Sequence, residues 1–260
     1  KRERDFLFIE GLRMVNLGQL SGAEKIFTEL ISKFPQMDAA YYNLANIHLK
    51  KGDLSKALKF TEKAVAADSS NYWYTIQLAR LYSAMGDLKK STEVYESVKR
   101  RDPSKTSLYI ELIDIYVRGR EYDKALLTLE DIEKRGGVNE ATALTRYNIM
   151  VNQGKMESAI QMIEEVDKTT PSPRISSLLG DYYASLKRDT LAMQYYSAAL
   201  ALEPGYIPAI FGLAESYRIR GQYDLYFQHM FPFMANSDVN PGMKVEYMKE
   251  ILANQKFVQT

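Results

Sequence analysis

Apolar and polar residues alternate at helical spacing in the stretch KGDLSKALKFTEKAVAADS, residues 51–69. The pattern is typical of an amphipathic helix with one solvated face. Gly52 precedes the helical run, Leu54 follows two places on, and Ala57 comes three places after that. Taken alone the stretch predicts only a helix, but the same residue types recur along the rest of the chain.

The recurrence has a period of 34 residues. Glycine stands at Gly18, Gly52, Gly86, Gly154 and Gly221, in steps of 34, 34, 68 and 67 residues. Alanine follows most of them five residues later, at Ala23, Ala57, Ala125 and Ala159, with Ala192 in the same register after a one-residue deletion. Prolines close units at Pro35, Pro103, Pro171 and Pro204. This register resembles the tetratricopeptide repeat, a helix-turn-helix unit of 34 residues.

The resemblance implies an all-α fold, a right-handed α-solenoid of antiparallel helix pairs. We expect a single solenoid over residues 1–260, with units near 4–37, 38–71, 72–105, 106–139, 140–172, 173–206 and 207–240, and part of an eighth at 241–260. The family's small residue in the first helix falls at Gly11, Ala45, Ala79, Gly180 and Ala214. The aromatic position three residues later holds Tyr82, Tyr116, Tyr183 and Tyr217, and His48 in the second unit.

Physical reasons support this register. Gly52 can take the positive backbone angle that reverses the chain after a first helix. Leu54 is expected to pack into the corner that follows. Ala57 lies where the two helices of a unit cross, so a larger side chain there would overpack the pair. Ser91 takes that position in the third unit and is small enough to be harmless.

Two units depart from the glycine rule. In the fourth unit Arg120 takes the turn position, and the neighbouring Gly119 is expected to supply the turn. The same unit ends in KRGGV, residues 134–138, which predicts a longer and looser connection. In the sixth unit Lys187 takes the turn position.

The last two units depart further. Tyr226 takes the close-contact position of the seventh unit and Pro232 falls inside its second helix, so we expect that helix to be kinked and splayed from its partner. Residues 241–257 predict a first helix, its turn and the corner aromatic Phe257. The second helix of the eighth unit is missing, so we expect the chain to be a fragment of a longer protein.

Composition narrows the function classes. The formal net charge is +1, so we expect neither nucleic acid nor an anionic membrane surface as the main partner. There is no cysteine, and no apolar run approaches the length of a membrane-spanning helix. His48 and His229 stand on different units, and no catalytic or phosphate-binding motif is present. The basic run VKRRDPSK sits at a helix C-terminus, where positive charges interact favourably with the helix dipole. We predict no enzyme activity, no cofactor and no metal site.

Binding is the function that the resemblance implies. In this family the first helices line the concave face, and repeat positions two, five, nine, twelve and thirteen point into it. The partner-binding residues predicted on that basis are Tyr42, Asn46, Trp73, Arg80, Asp114, Arg118, Asn148 and Asn152. The two-carboxylate clamp of chaperone-binding members is broken here, since its positions hold Tyr42, Asn46, Gln77, Ser107 and Glu111.

Two roles remain open. The first is a non-enzymatic scaffold that holds a peptide segment or protein partner, and the second is a sensory module of a larger signalling or transcriptional regulator. The entry stretch KRERDFLFIEGLR and the nineteen tyrosines also resemble long repeat lipoproteins that Gram-negative bacteria export. That resemblance implies a periplasmic or outer-membrane-associated protein with a lipid anchor outside this chain, and a cytoplasmic location is the alternative.

Overall fold

The computed structural model describes residues 2–237 and 239–253, with backbone alone for 250–253. Within those residues it contains fifteen α-helices and no strand, which confirms the all-helical fold class. The first helices of the pairs are α1 Arg2–Asn16, α3 Asp38–Lys50, α5 Tyr72–Ala84, α7 Ser107–Arg118, α9 Glu140–Asn152, α11 Pro173–Ser185, α13 Ile207–Ile219 and α15 Pro241–Ala253. The second helices are α2 Leu20–Lys33, α4 Leu54–Ala67, α6 Leu88–Arg101, α8 Tyr122–Gly136, α10 Met156–Thr169, α12 Asp189–Leu202 and α14 Tyr223–Ala235.

The chain divides into two compact units between Gly137 and Val138. In the first unit each first helix packs on its own second helix, and each second helix packs on the next first helix. Phe27 of α2 and Leu44 of α3 are fully buried in one such junction. The helices α2 to α7 therefore each pack between two neighbours, as a repeat array requires.

The second unit repeats this arrangement. One core joins α9, α10 and α11 around Ile163 and Ile175, and a second joins α11, α12 and α13 around Tyr196. A third surrounds Phe233 of α14, whose ring lies 4.8 Å from that of Phe211. Tyr247 of α15 packs on Phe211 at 5.0 Å, so the first helix of the eighth repeat is docked onto the seventh.

The turn glycines behave as the sequence predicts. Gly52 has a φ of +76°, and Gly18, Gly86, Gly154 and Gly221 take similar positive values. The amide of Gly52 donates to the Leu49 carbonyl and that of Asp53 donates to the His48 carbonyl, so the turn satisfies the end of α3. The Asp53 carboxylate then accepts from the Lys56 amide and caps α4.

The prediction for Gly119 is wrong. Gly119 keeps a right-handed conformation with φ −79°, and Arg120 itself takes φ +59°. Lys187 does the same in the sixth repeat, with φ +57°. The turn therefore keeps the same backbone geometry without glycine. Arg120 and Lys187 adopt a left-handed conformation that is strained for any residue with a Cβ.

Glycine at these two turns should stabilise the protein. Arg120→Gly and Lys187→Gly are each expected to raise the free energy of unfolding by about 0.5–1 kcal/mol, because relief of left-handed strain exceeds the entropy that glycine loses on folding. Urea unfolding followed by circular dichroism measures the change. Gly52→Ala is the control of opposite sign: an added Cβ would meet nothing within 4 Å, so its expected loss reflects the positive φ alone. A loss of stability in both glycine variants would contradict the prediction.

The residues at the close-contact positions are buried. Ala23, Ala57, Ala125, Ala159 and Ala192 are fully buried. Ser91, also fully buried, replaces the methyl contact with a hydrogen bond from its hydroxyl to the Ala79 carbonyl at 2.8 Å. Leu54 differs from expectation in part, because about a third of it stays exposed beside the groove described below.

Two predicted irregularities are absent. The KRGGV segment forms no long connection, because α8 continues to Gly136 and only residues 137–139 separate it from α9. Helix α14 continues through Pro232 and packs on α13 through the buried Tyr226, so the predicted splaying is wrong, and the predicted kink stays a prediction. Ala214, buried in the same cluster, is small enough to leave room for that ring. Phe257 and the turn before it lie outside the described residues.

Tyrosines tie successive repeats together. Tyr82 donates from α5 to Glu62 of α4 at 2.8 Å, and Tyr116 donates from α7 to Glu96 of α6 at 2.5 Å. In the second unit Tyr183 donates from α11 to Glu164 of α10. Burial and the Glu62 bond raise the pKa of Tyr82 to about 12, and the bond to Glu164 and burial raise that of Tyr183 to about 12. Some of the many tyrosines of the chain therefore form hydrogen bonds between successive repeats.

Candidate functional site

A groove of about 350 Å³ lies between α3 and α5 in the first unit. Its lining contains four of the eight predicted binding residues, namely Tyr42, Asn46, Trp73 and Arg80. Six further residues complete it, of which all but Gln77 are apolar: Leu49, Leu54, Ile76, Gln77, Leu81 and Ala84. The groove thus combines an apolar lining with a few polar groups, which is typical of ligand sites.

Contacts between the starts of α3 and α5 support the aromatic residues of the groove. The Tyr42 and Tyr74 rings lie 4.7 Å apart, and the Tyr74 hydroxyl donates to Asp38 at 2.9 Å, which joins the starts of α3 and α5. Asn71 caps α5 by accepting from the Trp73 amide at 3.0 Å. The Trp73 side chain itself touches Tyr72 edge-on and is 67% exposed. The cap therefore fixes the backbone at Trp73, and the Trp73 side chain is not part of the core.

An amide pair crosses the groove. Gln77 of α5 donates from Nε2 to Oδ1 of Asn46 on α3 at 2.8 Å. Within the described residues, Gln77 Oε1 is buried and accepts no hydrogen bond, and Asn46 Nδ2 has no protein acceptor. Leaving a buried acceptor unpaired costs about 1–3 kcal/mol. Gln77 was predicted only to break the carboxylate clamp, although it lies one turn after Trp73.

Arg80 is fixed by a carboxylate on the next first helix. Its Nε donates to Glu111 Oε2 at 2.9 Å, its Nη2 donates to the other oxygen, and the Tyr95 hydroxyl donates to the same carboxylate. The bond from Arg80 lowers the pKa of Glu111, and burial together with the Glu111 bond raises that of Tyr95. The bidentate pair neutralises the arginine charge and engages Nε and Nη2, while Nη1 donates no hydrogen bond within the described part of the chain.

The other predicted residues lie farther along the first helices. Asp114 and Arg118 are exposed on α7, 3.7 Å apart, and Arg118 also donates to the Ser83 hydroxyl of α5 at 2.8 Å. Asn148 and Asn152 are exposed on α9 in the second unit, where the Asn152 amide donates to the Asn148 carbonyl. The groove itself contains none of these four residues.

The residues considered for other chemistry have structural partners. His48 stacks on Phe60 at 5.4 Å, and His229 stacks on Tyr217 at 5.3 Å, with its pKa lowered by burial. Among residues 2–237 and 239–253 no cluster of three acidic or histidine side chains could hold a metal ion. No helix in that part of the chain has the length and apolar character of a membrane span.

The basic run is also engaged within the protein. Lys99 binds Asp131 at 2.7 Å and lies over the Tyr109 ring. Arg100 lies 3.5 Å from Glu96, and Arg101 donates to the Ser69 carbonyl at 2.6 Å. These cations therefore hold helices and loops of the first unit together.

Family comparisons agree with the helix pairs. Tetratricopeptide repeat models match residues 15–75, 76–105 and 150–207, which together make up more than half of the chain, and a PPR repeat model matches residues 108–137. The chain is a tetratricopeptide repeat protein. No curated protein is similar enough to count as a relative.

Solved structures show the same fold. The MamA protein is 13% identical, with a TM-score of 0.55 over 64% of this chain and 90% of that one. A tetratricopeptide repeat protein from Parabacteroides merdae ATCC 43184 is 17% identical, with a TM-score of 0.51 over 83% of this chain and 99% of that one. At such identities the likeness extends to the fold alone.

Proposed function

We propose that this chain is a non-enzymatic scaffold that binds a peptide segment of a protein partner in the groove between α3 and α5. The observation that carries the proposal is the exposure of Trp73, 67%, beside a hollow lined by apolar side chains. Interaction hot spots are enriched in tryptophan and lie in pockets that lose their water when the partner binds. The repeat family, whose members are generally scaffolds, supports the same role.

The polar groups of the groove suit a peptide backbone. Asn46 Nδ2, Arg80 Nη1 and the Trp73 indole N–H can each donate to a carbonyl oxygen. Arg80 is held in place by Glu111, so little side-chain entropy is lost when it donates. Of the other predicted residues, Asp114 and Arg118 lie on α7, and Asn148 and Asn152 lie on α9 of the second unit.

Random-peptide display on the intact chain tests the proposal. Peptides selected for binding should lose at least about thirtyfold in affinity for Trp73→Ala, because tryptophan truncation at a hot spot costs about 2 kcal/mol or more. Trp73 contributes little to the core, so the urea midpoint of this variant should match that of the parent. Adding Arg80→Ala should weaken binding further, though it also leaves Glu111 without its cation.

The control substitutions need residues without partners. Glu62 and Lys63 on α4 do not qualify, because Glu62 accepts from Tyr82 and Lys63 lies over the Tyr41 ring. Lys59 and Glu93 are exposed and have no such contact, so Lys59→Ala and Glu93→Ala should leave binding unchanged. Equal affinity of the parent and Trp73→Ala for every selected peptide would refute the groove as the binding site.

We further propose export with a lipid anchor encoded before Lys1, on the resemblance of the entry stretch and tyrosine content to exported repeat lipoproteins. The reading frame upstream tests this proposal. A leader followed by a lipid-accepting cysteine supports it. A kinase or DNA-binding region in the same frame would instead favour the regulatory role.

A further inference from the structure

Two rows of side chains run across the first helices of the first unit at the repeat spacing. The apolar row consists of residues 34 positions apart, Tyr42, Ile76 and Ile110. The polar row lies four residues further along each helix and consists of Asn46, Arg80 and Asp114. The groove contains the first two members of each row. Ile76 is only 2% exposed, so the exposed apolar side chain on α5 is Trp73, and Ile110 on the next helix is 54% exposed. The apolar surface therefore continues beyond the groove onto α7.

The spacing of the rows selects a ligand conformation. Helix α5 contacts α3 through Gln77 and α7 through Arg80, and helices whose side chains are in contact lie about 8–10 Å apart. A polyproline II helix has three residues per turn and a rise of about 3.1 Å, so its residues i, i+3 and i+6 lie on one face about 9 Å apart. A β-strand would turn residues i and i+3 to opposite faces, and an α-helix would need about seven residues to cover the same distance.

The chemistry of the surface points the same way. A proline-rich segment presents carbonyl oxygens and lacks N–H donors. The groove offers the complementary donors, on Asn46, Arg80 and Trp73, and the acceptor left over, Gln77 Oε1, is buried. Flat rings such as those of Tyr42 and Trp73 are the surfaces on which proline rings stack in known recognition grooves.

Charge complementarity favours an uncharged occupant. The guanidinium of Arg80 is neutralised by the bidentate contact with Glu111. The next cation, Arg118, has Asp114 as its counter-ion at 3.7 Å. The rows therefore present no net charge that would select an acidic or a basic segment.

We propose that the occupant is a proline-rich segment in polyproline II conformation, with proline or another apolar residue at every third position. The inference rests on the proposed function and names the ligand class of the same groove. Tyr42 on α3 would hold the first contact residue, Trp73 on α5 the second and Ile110 on α7 the third.

Blocked nonaproline is the probe, and the emission of Trp73, the single tryptophan, is the readout. Nonaproline should shift the emission to shorter wavelength in a saturable way, with little dependence on salt. Ile110→Ser should weaken nonaproline binding by about fivefold, since an exposed isoleucine that becomes buried contributes about 1 kcal/mol. It should not affect blocked tetraproline, which spans only two rows. Lys59→Ala should change neither titration.

Two comparison peptides give the results that would overturn the inference. A blocked glycine-serine peptide of nine residues and a blocked alanine-rich helical peptide should both bind more weakly than nonaproline, and equal or tighter binding of either would refute the conformation. If displayed peptides bind at Trp73 without proline or a period of three, the groove is a peptide site and this inference alone fails. If neither nonaproline nor any displayed peptide binds there, the proposed function fails as well.

Discussion

Gly212→Ala is expected to lower the free energy of unfolding by about 1–3 kcal/mol, although the same exchange in an exposed helix raises it by about 1 kcal/mol. A Cβ at Gly212 of α13 would lie 2.3 Å from the Tyr196 ring, and one at Gly180 of α11 would lie 2.6 Å from it. Tyr196 cannot move away easily, because it is buried and its hydroxyl donates to Asp181 at 2.7 Å. The Tyr196 ring therefore packs directly against the backbone at Gly180 and Gly212.

Urea unfolding of Gly212→Ala, Gly180→Ala and the parent measures this effect. Gly136→Ala is the matched control, because no atom lies within 4 Å of an added Cβ there, and no loss is expected. In a Tyr196→Leu background the cost of Gly212→Ala should fall, since the two sites are in contact and their effects are not additive. An equal cost in both backgrounds would show that the ring is not the cause.

Ala57→Leu and Ala159→Leu are each expected to destabilise the protein by about 1–3 kcal/mol. Both alanines are fully buried at the crossing of two helices, one in each unit, and the extra carbons have no space. Ala66, exposed on the same helix as Ala57, gives the control Ala66→Leu, which should be close to neutral. Thermal unfolding followed by circular dichroism compares the variants. Near-neutral results at both buried sites would mean that the repeat register is wrong.

The sequence predicted those parts of the fold that depend on residue types repeated at one spacing. Gly52 predicts a turn and Ala57 predicts the point where two helices cross, because few other residue types suit either position. Arg120 shows the limit of that reasoning, because a rule based on glycine cannot show that an arginine takes the same positive φ. The close packing of α14 on α13 was also missed, since it depends on how Tyr226 fits beside the small Ala214.

The candidate site was predictable in its positions and not in its contacts. The repeat register identified Trp73 and Arg80, and both line the groove. The partner of Arg80 was missed, because Glu111 becomes a neighbour only when α5 and α7 are placed side by side. The tyrosine bonds did leave a signal: Glu62 and Glu96 stand 34 residues apart, as do their partners Tyr82 and Tyr116.

The repeat at residues 72–105 takes part in two of these tyrosine–glutamate bonds and supplies one partner to each. Tyr82 reaches back to Glu62 in the preceding repeat, and Glu96 receives Tyr116 from the following repeat. Every copy of this segment would therefore bring a donor for the unit before it and an acceptor for the unit after it. Duplication of the gene segment would lengthen the array with both new joints already formed, so this repeat is a self-compatible building block.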